Sequence, residues 1–293
     1  MRLTLNLFQR SGILEAEVSR FTERLREFIA HTELNESALV IHGPGLGLTS
    51  HFVELCLLGP ERFDQFRTVQ AVSASSYAVL FFHALQRGML SLTDEEIGNF
   101  NQANQLRHKI SGTGRGSLLV IRFLCGSKQL FSADRLEEAL AYGVRPEFVK
   151  SKVSELPANL TFLTYCVEDR EVCEIRQGER FDDWSLAEVI RCVTAVRGIY
   201  PPLRKDGKTY MDAVTDRSKL REHFRQLRKQ YQNVLALHMD RDNVYRNTTY
   251  IKMHRTGPGQ IRVMLDFLYF MCGIENRDFN EGIHVGLRGV TPL

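Results

Sequence analysis

The sequence predicts a single three-layer α/β domain, a mostly parallel sheet between helices, and three observations carry this. A strand-like apolar run, a tight turn and a helical apolar pattern follow one another twice within residues 38–88, the succession that builds a parallel sheet with helices on its faces. Further strand-like runs, LTFLTYC and VLALHMD, recur later between helical segments. No internal repeat, low-complexity tract or linker divides the 293 residues, a length one domain can fill.

Taken in order, residues 12–30 place Ile13, Leu14, Val18, Phe21, Leu25, Phe28 and Ile29 at helical spacing with charges between them, an amphipathic helix. ALVIH is the first strand, and after a glycine-rich turn the apolar pattern runs as a helix to Leu57 or Leu58. FRTVQAV is the second strand and SSYAVLFFHALQRG the second helix of the pair, with Gly88 placed to end it. Thr93-Asp94-Glu95-Glu96 reads as a helix start and SGTGRGSLLVIRFL as a turn entering a strand. SADRLEEALAYG is a capped helix, LTFLTYCVEDR a strand, and Asp183-Trp184-Ser185-Leu186 opens a helix reaching about Val193. IYPPLRKDGKTYMDAVT alternates turn chemistry with short β segments; a basic helix (217–232), the strand VLALHMD and a helix over about 258–273 follow. Within the one domain, residues 1–36 form the amphipathic helix region, 37–215 the motif-bearing core and 216–293 the C-terminal helices and strand.

A hydrophobic share of 43% against 25% charged residues excludes global disorder. The net charge of +3 is too balanced to point to nucleic acid over the whole surface. The six cysteines form no CxxC pair, and the apolar run in MRLTLNLFQRSG is too short for a secretory signal. Free thiols in the cytoplasm are the expectation. No run of apolar residues has the length of a membrane span. The nine histidines show no metal-ligand spacing, and Gly112–Gly116 leads into a strand where a phosphate cradle would need a helix. His42 and His51 flank the first glycine-rich turn and read as core or rim residues.

Three separated features carry chemistry. Gly43-Pro44-Gly45-Leu46-Gly47 lies between a strand and a helix, where backbone N–H groups can face an oxyanion. The stretch AVSAS follows the second strand, and a nucleophile elbow needs small neighbours two before and two after the serine. Ser73 has Ala71 and Ser75 there; Ser75, the alternative nucleophile, would have Tyr77 at a crowded position. DGKTYMDAV places Asp212 after a tight turn and a short strand, where a carboxylate can take the nucleophile's proton.

In the order and spacing of these features the chain resembles the patatin-like phospholipase family, over roughly residues 37–215. That family has a glycine-rich oxyanion loop (G-G-G-x-R/K-G), a G-x-S-x-G elbow and a later D-G-G or D-G-A, and its proline-rich approach to that last motif is similar to IYPPLRKDGKTYMDA. The departures are Pro44 for a loop glycine, no Arg or Lys in the loop, Ala71 and Ser75 for the elbow glycines, and Ala213 after Asp212. The resemblance implies a patatin-like three-layer fold and a serine acyl hydrolase or acyltransferase acting on a lipid-like ester or thioester. Ser73 would be the nucleophile, Asp212 the base, and the backbone at Gly43, Gly45, Leu46 and Gly47 the oxyanion hole, with no cofactor and no metal. The altered glycines keep a second reading open, an inactive scaffold of the same fold that binds acyl chains or a protein partner. The helix DRSKLREHFRQLRKQY carries Arg217, Arg221, Arg225, Arg228 and Lys229 away from its apolar stripe, an expected contact for an anionic membrane surface or a phosphorylated carrier.

Overall fold

The computed structural model describes residues 12–42, 48–90, 133–196, 200–238 and 248–251. Its elements are α1 (Gly12–Ala30), β1 (Ser37–His42), α2 (Leu48–Leu58), α3 (Pro60–Gln65), β2 (Thr68–Val72), α4 (Ser75–Gln86), α5 (Asp134–Gly143), α6 (Pro146–Lys150), β3 (Leu160–Cys166), β4 (Glu171–Ile175), α7 (Leu186–Val193), β5 (Leu203–Lys205), β6 (Lys208–Asp212), α8 (Arg217–Gln230), β7 (Asn233–His238) and β8 (Thr248–Ile251). The helix start expected at Thr93–Glu96, the turn and strand of 111–124 and the helix near 258–273 lie outside the described residues.

The strands join in one mixed sheet of order β5-β6-β3-β2-β1-β7-β8, with β4 also paired to β3. Pairings β3–β2, β2–β1, β1–β7 and β7–β8 are parallel. The remaining pairings are antiparallel: β4 runs along the opposite edge of β3, β6 takes up β2's own edge of β3 from Thr164 onward, and β5 pairs β6. The sheet is therefore mixed, parallel in four of its seven pairings, and two hairpins supply the antiparallel part. One is the turn after Cys166, which returns directly as β4; the other is the Asp206-Gly207 turn, both residues at positive φ (52° and 74°), the conformation a two-residue hairpin demands.

Alternation along the strands divides the side chains between two faces. Leu39, Ile41, Val69 and Ala71 join the main core with Leu55 and Leu58 of α2 and Leu80 and Phe82 of α4. Val72 and Leu163 project to the other face, onto Ala213 and Leu220, while Ala38 and Val40 meet Leu227. Helix α8 thus runs back along the sheet, from the carboxyl end of β2 toward the amino end of β1. Helix α7 shows how local and global signals agree: Ser185 accepts a hydrogen bond from the Glu188 amide (3.3 Å) while Glu188 accepts from the Ser185 amide (2.9 Å). That capping box leaves Leu186, Val189, Ile190 and Val193 buried along one face.

Among the described residues no helix is long and apolar enough to cross a membrane. The four described cysteines, Cys56, Cys166, Cys173 and Cys192, are free thiols, and burial pushes Cys56 up to about 12.

Candidate active site

Strand register brings the chemistry to one end of the sheet. Val72, the last residue of β2, lies opposite His42 on one side and Leu163 on the other, and Thr164, next along β3, lies opposite Asp212 of β6. The chain leaves β2 through Ser73, which has φ of 61°, and enters α4 two residues later. A non-glycine residue at positive φ is uncommon and strained. Such strain belongs to an elbow that lifts a side chain off the end of a strand.

Ser73 Oγ donates a 2.6 Å hydrogen bond to Asp212 Oδ2 across 139 residues of sequence. No imidazole intervenes. The other carboxylate oxygen, Oδ1, accepts from the Val214 amide at 3.0 Å, so both oxygens are oriented. The backbone of Asp212 is fixed as well: its amide donates to the Ala195 carbonyl (3.2 Å), and Thr164 Oγ1 donates to the Met211 carbonyl (2.7 Å). Asp212 is fully buried. Burial pushes its carboxyl up to about 7, against the opposing pull of the Ser73 and Val214 hydrogen bonds. A carboxylate poised near neutrality is a far stronger base than an ordinary aspartate. The first turn of α4 points its positive end at the same place, where developing negative charge is favoured.

Ser75 has a different role. It is fully buried, accepts from the Val72 amide at 3.1 Å, and its hydroxyl lies 2.6 Å from both the Ile41 and the Val72 carbonyl oxygens, to one of which it can donate at a time. It clamps the elbow to the neighbouring strand, and its hydrogen bonds run away from Asp212. Ser73 retains 7% exposure where Ser75 and Asp212 retain none, so of the two serines only Ser73 is reachable. The positions that are glycine in a G-x-S-x-G elbow are thus filled by a packed Ala71 and by a serine whose side chain turns into the clamp. Ser73 is not a helix cap either: Ala74 precedes α4 and makes no capping bond.

Gly43, Gly45, Leu46 and Gly47 lie outside the described residues; the segment is bracketed by His42 at the end of β1 and Leu48 at the start of α2. His42 meets Phe224 edge-on at 6.1 Å between ring centroids. His51 and Glu54, one turn into α2, form a buried pair at 2.6 Å through Nδ1, a contact that i,i+3 spacing allows but that the sequence alone did not single out. His223 on α8 reaches Gln70 of β2 at 2.9 Å behind the elbow strand; burial lowers its pKa and Glu174 opposes the shift.

Two other features lie elsewhere. Cys166, Asp169 and Cys173 cluster at the β3–β4 hairpin with ligand atoms within 4.8 Å of one another. Lys208 pairs with Asp169 at 2.5 Å, and Arg180 donates to Cys173 Sγ at 3.1 Å, so cations of the chain already hold this cluster. A cleft of about 630 Å³ lined by Pro60, Asp64, His83 and Asn159 opens at the amino ends of β2 and β3, the opposite end of the sheet from Ser73. Of the basic residues expected on α8, Arg217, Arg221, Arg225 and Lys229 are exposed, whereas Arg228 is half-buried. Compared with known proteins, the chain matches no family profile and no curated sequence.

Proposed function

We propose that this chain is a serine acyl hydrolase or acyltransferase acting on a lipid-like ester or thioester through a Ser73–Asp212 dyad, in a patatin-like three-layer fold. The observation that carries the reading is the 2.6 Å hydrogen bond from the strained Ser73 to a fully buried carboxylate. Buried carboxylates are expensive, and one that also faces a reachable hydroxyl at a strand-to-helix elbow is what nucleophilic catalysis requires. In this mechanism Asp212 takes the Ser73 proton as Oγ attacks the acyl carbonyl. The oxyanion is held by backbone N–H groups of the elbow and of the segment containing Gly43, Gly45, Leu46 and Gly47. Collapse of the tetrahedral intermediate expels the alcohol or thiol, which receives the proton from Asp212, and leaves an acyl-Ser73 ester. Water or a second hydroxyl then resolves that ester with Asp212 again as base. No step calls for a metal or cofactor.

Turnover of p-nitrophenyl esters and acyl thioesters of increasing chain length tests this. Wild type is expected to turn over at least one series, and Ser73→Ala to lose it by roughly 10⁴-fold or more. Equal turnover by Ser73→Ala, with the variant folded, would remove the dyad from the chemistry. A folded wild type inert toward all of them would favour the second reading, an acyl-binding scaffold without chemistry, which the replaced elbow glycines support.

A further inference from the structure

Helix α8 begins one 3₁₀ turn (Ala213–Thr215) after Asp212 and carries more cation than its own stability explains. Arg217, Arg221, Arg225 and Lys229 are all exposed, and their four-residue spacing aligns them in one ridge about 18 Å long at 1.5 Å per residue. No side chain of the four makes an ion pair or hydrogen bond to another described residue, whereas the neighbouring Lys219 is paired with Glu222 at 3.3 Å. Like charges at this spacing repel. Arg217 and Lys219 also sit in the first turn, against the helix dipole, with the N-cap Asp216 as the one acid there, its carboxylate accepting from the Ser218 and Lys219 amides. Local rules broken without a gain in folding are expected at functional surfaces.

The apolar stripe of α8 is used up within the protein, since Leu220 and Leu227 are buried against the sheet. The helix therefore has no free apolar face to insert, and what it offers outward is polar, with exposed cations outnumbering the single exposed acid, Glu222. Its ridge starts at the end of the sheet that holds Ser73 and Asp212 and runs along the flank. We infer that this ridge docks the protein electrostatically on an anionic lipid bilayer, holding the Ser73 end beside the surface from which an acyl substrate would come. The choice of a lipid surface over another polyanion rests on the proposed acyl chemistry; the charge ridge itself does not.

The test is co-sedimentation of the full chain with phosphatidylcholine vesicles containing either no or one-third phosphatidylserine, over a salt series. The proteins compared are wild type, Ser73→Ala, a variant with Arg217, Arg221, Arg225 and Lys229 changed to Gln, and a control with the exposed Arg87, Arg145, Lys150 and Arg204 changed to Gln. Wild type, Ser73→Ala and the control are expected to bind only the anionic vesicles and to release them as salt rises. At roughly fivefold per cation, the ridge variant should lose at least about a hundredfold in partitioning. Equal binding by ridge variant and control, or no binding of anionic vesicles by wild type at low salt, would overturn the inference. So would ridge-dependent binding of poly(U) RNA without binding of vesicles, which would assign the ridge to nucleic acid. Because Ser73→Ala binds as wild type does under this inference, loss of the catalytic reading and loss of the docking reading give different results.

Discussion

A single carboxyl sets the character of the candidate site. Asp212 stands about three pH units above an ordinary aspartate because it is buried, and the two hydrogen bonds it accepts only partly restrain that rise. As the proposed base it would have to be ionised, so kcat/KM for an acyl ester is expected to climb with pH through a midpoint near 7, the value set by the buried carboxyl. A pH–rate profile checks this, and a midpoint near 4 would mean that the working site is far wetter. Ser75 is the counter-case, a serine whose value is structural. Ser75→Ala leaves the buried Val72 amide without its acceptor, expected to cost about 1–3 kcal/mol. Urea unfolding should show that loss while the folded fraction keeps its reactivity at Ser73. The sequence itself sets the two serines apart, because only Ser73 has small residues on both sides at the crowded positions. The raised pKa was not legible, since it depends on burial by strands remote in the chain.

Elements with clear punctuation were readable and those without it were not. The helix at Leu186–Val193 announces itself by Ser185 and Glu188, and the β5–β6 hairpin by Asp206-Gly207. Ser185→Ala should destabilise the protein by about 1 kcal/mol, seen as a lower melting temperature with no change in reactivity of Ser73. Strand β4 escaped the sequence reading, which carried LTFLTYCVEDR on as a single strand. Its turn, 167–170, has only Asp169 as a turn signal and no glycine or asparagine, the residues that normally mark the left-handed conformation Arg170 takes (φ 54°). With charged residues at both Glu171 and Glu174, EVCEI lacks the apolar run of a buried strand, and it pairs antiparallel to β3.

For the whole molecule, the order of strands joins function to stability. Parallel pairing puts the ends of β1 and β2 side by side, and the antiparallel β6 returns Asp212 to that same end; this long-range closure could be anticipated only from the order of the motifs. Its cost is a buried acid. The folded carboxyl keeps its proton up to about pH 7, whereas the unfolded one releases it near 3.8. Folding thus takes up a proton between those values, and this group's contribution to stability falls as pH rises from about 4 to 7 and stays low above it. The penalty above pH 7 is on the order of 4 kcal/mol. Asp212→Asn keeps the shape and removes the charge, so its melting temperature should exceed that of wild type at pH 8 and match it at pH 4, with activity reduced by roughly 10⁴-fold. A melting temperature unchanged at pH 8 would mean that the buried charge carries no such penalty.

The most direct measurement is labelling by a fluorophosphonate probe, read by intact mass and peptide mapping, on wild type, Ser73→Ala, Ser75→Ala and Asp212→Asn. The account predicts a single adduct on Ser73, retained in folded Ser75→Ala and lost or strongly slowed in Asp212→Asn. Labelling at Ser75, or Ser73 labelling that is indifferent to Asp212→Asn, would contradict it.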